Sequence, residues 1–225
     1  MKIKYSPVIK DRWPDSYFSK RLGNNENRIN QFELDKNLLK KYFKKGKICD
    51  VGCSTGEFLK YLNFKSKMYG MEINEYARRE ASKFINFKKN IFTESNFFDL
   101  VVFRGTIQHV DEPFRMIKES HRSLKKNGII AFLSTPNSNS LLYKLKNNLS
   151  FLDKKTNFYI PGDQELKNAL ENFGFKILEV EYPYLKTPYA NIWRDHFYFI
   201  LNIFSKRFFP HPFWKSSMNI IAKKK

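Results

Sequence analysis

The chain is 225 residues long, 42% hydrophobic, 17% aromatic and 28% charged, enough apolar material for one substantial core and too much for a disordered chain. Its formal net charge of +19 favours encounter with anions of every kind, but the lysines are scattered along the sequence and form no block, so charge by itself selects no substrate. The opening residues carry charge and proline where a secretory leader needs an apolar run, and the longest apolar-rich stretch, 196–204, falls short of the ~20 residues of a membrane-spanning helix, so a cytoplasmic location is expected.

In chain order, residues 1–25 read as an irregular arm punctuated by Pro7, Pro14 and Gly23. From Asn27 onward Ile29, Phe32, Leu34, Leu38, Leu39, Tyr42 and Phe43 recur at near-helical spacing, with Gly46 placed to stop the run. A short apolar strand at 48–51 runs into Gly52 and a helix at 57–64 follows. Then come a strand at 67–73, a helix at 75–84 and a brief strand at 85–87. The run 98–103 reads as a buried central strand, and Phe114, Ile117, His121 and Leu124 mark a helix face closed by Asn127-Gly128, before a strand at 129–133. A helix at 163–173 stopped by Gly174, a strand at 175–180 and a last strand at 218–222 complete the pattern.

Strands alternating with helices at this spacing predict an α/β fold, a Rossmann-like and mostly parallel sheet with helices on both faces and an antiparallel last strand. Residues 182–215 are too long for an ordinary connection and read as an insertion before that strand. We expect one domain over 1–225, with an arm and helix at 1–45, a ligand-binding core at 46–136 and substrate-side segments at 137–225.

The chemistry concentrates in the turn Asp50-Val51-Gly52-Cys53-Ser54-Thr55-Gly56, which leaves a strand and opens a helix, the context in which backbone N–H groups approach a ligand closely. Glu72, about 20 residues further on at the end of the next strand, stands where a Rossmann-type carboxylate accepts hydrogen bonds from ribose hydroxyls. A carboxylate there favours a free diol over a phosphorylated ribose and disfavours NADP. Cys49 and Cys53 have no companion cysteine or nearby histidine, so they read as reduced structural thiols and no metal site is expected.

Four blocks in order, DVGCSTGEFL at 50–59, the Glu72 strand end, FDLVVFRGTIQHVDEP at 98–113 and LKKNGIIAFLSTPN at 124–137, resemble the class I S-adenosylmethionine-dependent methyltransferases, particularly the bacterial group with ubiquinone-pathway and sugar-modifying members. The resemblance implies S-adenosyl-L-methionine as cofactor, with Asp50, Gly52 and Gly56 at its methionine end, Cys53 and Ser54 also among the residues that bind it, and Glu72 on the ribose. It places Asn90 and Ile91 beside adenine, and Arg104 and Gly105 near the reactive sulfur. Relatives often carry Asp at position 90 and glycine at position 54, where this chain has Asn90 and Ser54.

Methyl transfer from a sulfonium is an in-line displacement for which positioning supplies much of the rate, so a base is optional. If the acceptor is a hydroxyl, His109 is the nearest base candidate, against a structural role in its loop. His196 and His211 fall in the aromatic insertion and read as packing residues. Trp193, Phe197, Tyr198, Ile200, Leu201 and Phe204 form a wide apolar helix face, read first as core or lid packing and alternatively as a membrane-surface contact. The expected acceptor is a small molecule, a sugar or glycan precursor, with specificity set by 137–162 and 182–215. The competing readings are a quinone or lipid acceptor with peripheral membrane contact, an RNA acceptor for which no binding module is recognisable, and a non-catalytic donor-binding protein. An NAD-dependent oxidoreductase ranks below these, because the spacing of glycines 52 and 56 departs from GxGxxG.

Overall fold

In the computed structural model the described residues are 13–22, 25–87, 94–152, 157 and 159–225. The chain opens with a short helix α1 (Asp15–Ser19) and a 3-10 turn (Lys20–Leu22), followed by α2 (Glu26–Lys40). The Asn25 side chain starts α2 by accepting from the Arg28 amide, one of the helix-terminal N–H groups that have no intrahelical partner. There follow β1 (Lys47–Val51), α3 (Glu57–Leu62), β2 (Lys67–Met71), α4 (Glu75–Ala81), β3 (Asn86–Phe87) and β4 (Phe98–Arg104). The second half holds α5 (Pro113–Ser123), β5 (Leu124–Pro136), α6 (Leu141–Lys146), α7 (Asp163–Asn172), β6 (Phe175–Glu181), α8 (Ile192–Phe204) and β7 (Ser217–Lys224).

The strands form one seven-stranded sheet in the order β3-β2-β1-β4-β5-β7-β6. Parallel pairing joins β3, β2, β1, β4 and β5, while β7 runs antiparallel to both β5 and β6, the mixed Rossmann-like sheet that the strand–helix alternation predicts. The order reverses between β1 and β4, and in open α/β sheets the crevice at the carboxyl ends of such strands is where ligands bind.

Because successive side chains point to opposite faces, β1 and β4 supply two cores at once. Val51, Val101 and Phe103 face α5 and α7 with Phe132 and Phe175, whereas Ile48, Leu100 and Val102 face Phe32, Leu38 and Leu39 of α2 with Phe58 and Leu59 of α3. Phe103 and Phe132, on neighbouring strands, stack with ring centroids 5.0 Å apart and planes 9° from parallel.

The structure departs from the sequence reading in four places. The arm is helical at Asp15–Ser19, with Phe18 buried. Strand β5 begins at Leu124, opposite Phe98 and across an irregularity that takes Asn127 to φ 65°, so Asn127-Gly128 kinks a strand and does not close α5. Helix α6, inside the stretch expected to set specificity, starts at Ser140, whose hydroxyl accepts from the Tyr143 amide. Finally, α8 turns its apolar face outward, contrary to the core-packing expectation: Trp193 and Phe204 are 86% and 85% exposed, and Asp195 and Asn202 are the residues it buries.

Phe132→Ala, which empties one half of the stacked pair in the sheet core, is expected to cost about 3–5 kcal/mol in equilibrium denaturation with the transition still cooperative.

Candidate functional site

The carboxyl ends of β1, β2 and β4 meet at one edge, and Asp50, Gly52, Glu72, Arg104 and Gly105 stand at or just after those strand ends. The turn after β1 takes its shape from backbone geometry: Gly52 and Gly56 sit at φ 75° and 79°, a region that costs a side-chain-bearing residue strain. A Cβ on Gly52 would lie 2.5 Å from Thr106 Cγ2, so glycine is also required sterically where the loops after β1 and β4 approach. The Gly52 and Cys53 amides donate to the Met71 carbonyl at 2.7 and 3.1 Å, tying this turn to the end of β2.

Glu72 stands at the predicted strand end, and its carboxylate is already engaged. Oε2 accepts from the Ser54 amide at 2.9 Å, and Oε1 accepts from the Ile73 and Asn74 amides at 2.8 and 2.9 Å. The residue therefore fastens the turn at Ser54 to the loop entering α4, and one lone pair on Oε2 is left beyond these bonds. Cys53 is buried, its thiol packed where a Cβ on Gly70 would lie 2.6 Å from it, so only its backbone faces the turn. Burial pushes that thiol and the Cys49 thiol far above the usual range. Asn90 and Ile91 lie outside the described residues.

Asp50, at the end of β1, is 2% exposed. Its Oδ1 has no hydrogen-bond partner among the described residues, and neither do Ser54 Oγ, Thr55 Oγ1 or Gln108 Oε1. Burial pushes the Asp50 carboxyl up to about 7, opposed by the charge of Arg104 and reinforced by that of Glu72. Gly105 follows β4 at φ 59°, where a Cβ would make an ordinary contact with the Ser134 carbonyl oxygen at 3.8 Å, and its own carbonyl accepts from Gln108 Nε2 at 2.9 Å.

Arg104 lies at the expected strand end but turns toward α2. Its Nε donates to Asp35 Oδ2 at 2.7 Å, and its guanidinium lies over the rings of Phe32 and Phe58, 4.5 and 5.1 Å from their centroids. Asp35, fully buried, also accepts from Gln31 Nε2 at 3.1 Å; burial raises its carboxyl and Arg104 opposes the rise. Further along the same edge, Asn219 of β7 accepts from the Ser134 amide and donates to Glu181 Oε2 at 3.2 Å. Sequence reasoning missed Asp35, Gln31, Gln108, Glu181 and Asn219. The signal for Asp35 was available, since three residues after Phe32 and three before Leu38 it falls on the apolar stripe of α2.

His109 closes the 3-10 turn Ile107–His109, with its Nε2 3.4 Å from Gln108 Nε2. Its ring packs edge-on against Trp13 at 5.8 Å, and the Trp13 carbonyl accepts from Asn74 Nδ2 at 3.3 Å. The arm thereby bridges the loop after β4 and the start of α4, spanning the edge on which Asp50, Ser54 and Glu72 converge. The other two insertion histidines pack as the sequence suggests: His211 is buried beside Phe199 and Phe213, and His196 lies edge-on to Phe213.

A family model described as a methyltransferase domain matches residues 25–180. A tRNA U34 carboxymethyltransferase of Campylobacter jejuni is 26% identical over 152 residues, covering 59% of this chain and 50% of that protein, so the chain spans about half the length of the curated relatives it matches. Among solved structures, a possible histamine N-methyltransferase from Thermotoga maritima superposes with a TM-score of 0.62 at 20% identity over 94% of this chain and 98% of that one. A SAM-dependent methyltransferase from Archaeoglobus fulgidus gives 0.58 at 24% identity over 86% and 94%. At these identities the likeness to the solved structures is one of fold.

The raised Asp50 carboxyl has a stability consequence with a definite sign. An aspartate titrates near 3.9 when unfolded and about 7 here, so between those values the folded chain binds more protons and stability falls as pH rises. Asp50→Asn is expected to flatten the decline in melting temperature between pH 4 and pH 7 and to melt above the parent at pH 8, as read by circular dichroism.

Proposed function

The chain belongs to the methyltransferase family whose model spans residues 25–180, and on that premise we propose that it binds S-adenosyl-L-methionine along the edge formed by β1, β2 and β4 and moves a methyl group to a small-molecule acceptor, a sugar or glycan precursor. The observation that carries this reading is the convergence of orphaned buried polar atoms, Asp50 Oδ1, Ser54 Oγ and Gln108 Oε1, around a turn held open by Gly52. Buried polar groups are almost always paired, so a cluster of unpaired ones at a strand-end crevice calls for a polar ligand. A buried carboxylate beside the turn suits a cationic one, and the residues present fit the donor.

When bound, this cofactor supplies a sulfonium-activated methyl group, which transfers by in-line displacement. Asp50 would accept a hydrogen bond from the donor's ammonium group as a carboxylate, its own proton passing to solvent as the donor binds. The remaining Glu72 lone pair would accept from a ribose hydroxyl, and the three backbone amides already on that carboxylate hold it in place for that bond. Arg104, pinned by Asp35 and sandwiched by Phe32 and Phe58, balances the charge of Asp50 without occupying the crevice. His109 takes the proton of a hydroxyl acceptor, and Trp13 limits the water that reaches it.

The roof formed by Trp13 across the crevice favours a small acceptor over a folded nucleic acid. An RNA acceptor stands as the second reading because several relatives are tRNA U34 carboxymethyltransferases and the net charge is +19.

In calorimetric titration, S-adenosylmethionine and S-adenosylhomocysteine are expected to bind at micromolar concentrations and NAD not at all, with Glu72→Ala weakening both by about tenfold or more. Binding of NAD alone would overturn the donor assignment. Methyl release onto nucleotide sugars with none onto tRNA supports the small acceptor, and the reverse pattern selects the RNA reading. Because Asp50 must ionise to meet a cation, donor affinity is expected to rise with pH up to about 7 and then level off, a dependence that Asp50→Asn abolishes.

A further inference from the structure

Helix α8 is inverted relative to a helix that packs on a protein core. The two side chains it buries fully are polar: Asp195 accepts from the Asn191 amide at 2.8 Å, Tyr184 Oη at 3.1 Å and Arg194 Nη2 at 2.7 Å. About two turns further on, Asn202 Nδ2 donates to the Tyr198 and Phe209 carbonyls, and its Oδ1 accepts from the Phe209 amide. These bonds, with Phe199 stacked on Phe213 at 4.1 Å, lock the helix orientation. The outward side carries Trp193, Phe197, Ile200, Ile203 and Phe204, all exposed, and Trp214 is exposed as well. A row of large apolar side chains held in water by a buried polar face marks an interaction surface.

The charge around this face selects the partner. From residue 182 to 225 the sequence contains a single acidic residue, Asp195, which is buried, whereas Lys186, Lys206, Arg207 and Lys215 are exposed. A second copy of the chain would bring like charges together, with no exposed carboxylate from 182–225 to pair them. An anionic lipid surface complements both properties, since exposed tryptophan prefers the headgroup boundary and each basic residue near such a surface adds attraction. Among the described residues no helix is long and apolar enough to cross a membrane, and at 13 residues α8 has the length to lie along one.

We propose that α8 is an interfacial helix that docks the protein on an anionic bilayer, with Trp193, Phe197, Ile200 and Phe204 inserted and the flanking lysines and arginine on the headgroups. Strand β6 ends, and β7 begins, at the edge where β1 and β4 end, so the connection that carries α8 leaves and re-enters the sheet at its crevice edge. The inference is independent of which donor or acceptor the crevice takes.

The test is flotation of the full chain with vesicles of phosphatidylcholine alone and of phosphatidylcholine mixed with phosphatidylglycerol, with tryptophan emission recorded in parallel. Binding to the mixed vesicles, a blue shift, and at least about tenfold weaker binding to neutral vesicles or at high salt are expected. Phe197→Glu, an exposed change that leaves the melting temperature and donor binding as they were, should cut partitioning by about tenfold or more. So should the paired reversal Lys206→Glu with Arg207→Glu. Failure to float with anionic vesicles, undiminished binding by Phe197→Glu, or a stable dimer in sedimentation that Phe197→Glu dissolves would each overturn the proposal, the last in favour of a contact between copies.

Discussion

A carboxylate with no access to water must be met by a cation and hydrogen bonds or it will not stay ionised, and Asp35 imposes that demand at the centre of this molecule. Its position on α2 fixes where the guanidinium of Arg104 must go, and Arg104 ends the central strand β4. The ion pair therefore sets the helix on the sheet at the point where the strand order reverses. With Arg104 drawn toward Asp35 and cradled by two phenylalanines, Asp50 retains only a charge at a distance and an oxygen without a bond. The polarity of the crevice follows from how that one helix residue is neutralised.

The sheet separates two chemistries along its strands. Toward their amino ends the faces of β1, β4 and β5 are apolar and closely packed, while at their carboxyl ends Arg104 meets Asp35 and the Ser134 amide meets Asn219, which donates in turn to Glu181 across the antiparallel strand. Placing the chemistry at strand ends lets the core be dry while the loops carry function. Gly52 and Glu72 act together here: the glycine admits the neighbouring loop, and the carboxylate binds the turn to the next strand through backbone amides.

The crevice turn and the acid that follows it were legible because both rest on local requirements, a positive φ and a fixed strand-to-strand distance. The final strand was legible as an apolar run at 218–222, whereas its antiparallel direction came with the expected fold class and not from a local pattern. Arg104 was located correctly along the chain, but its direction was not readable, since that depends on a carboxylate 69 residues away. Helix α8 shows the limit most clearly. Periodicity tells which residues share a face and leaves open which face looks inward, and here two polar side chains, Asp195 and Asn202, claimed the interior. The start of β5 was missed for a related reason: Asn127-Gly128 has the composition of a stop signal, and pairing of Leu124 with Phe98 overrode it.

The position of β7 has a consequence for how the molecule assembles. It lies between β5 and β6, pairing Ile129 with Lys223 on one side and Phe175 with Lys224 on the other, so neither neighbour has a finished edge until this distant segment arrives. Contacts so far apart in sequence are formed late, after the loop-closure entropy has been overcome, and slow the folding reaction. Until then β5 and β6 present open hydrogen-bonding edges of the kind that recruit other chains. The same insertion that completes the sheet is thus the step at which folding competes with aggregation, and slow synthesis at low temperature would favour the former.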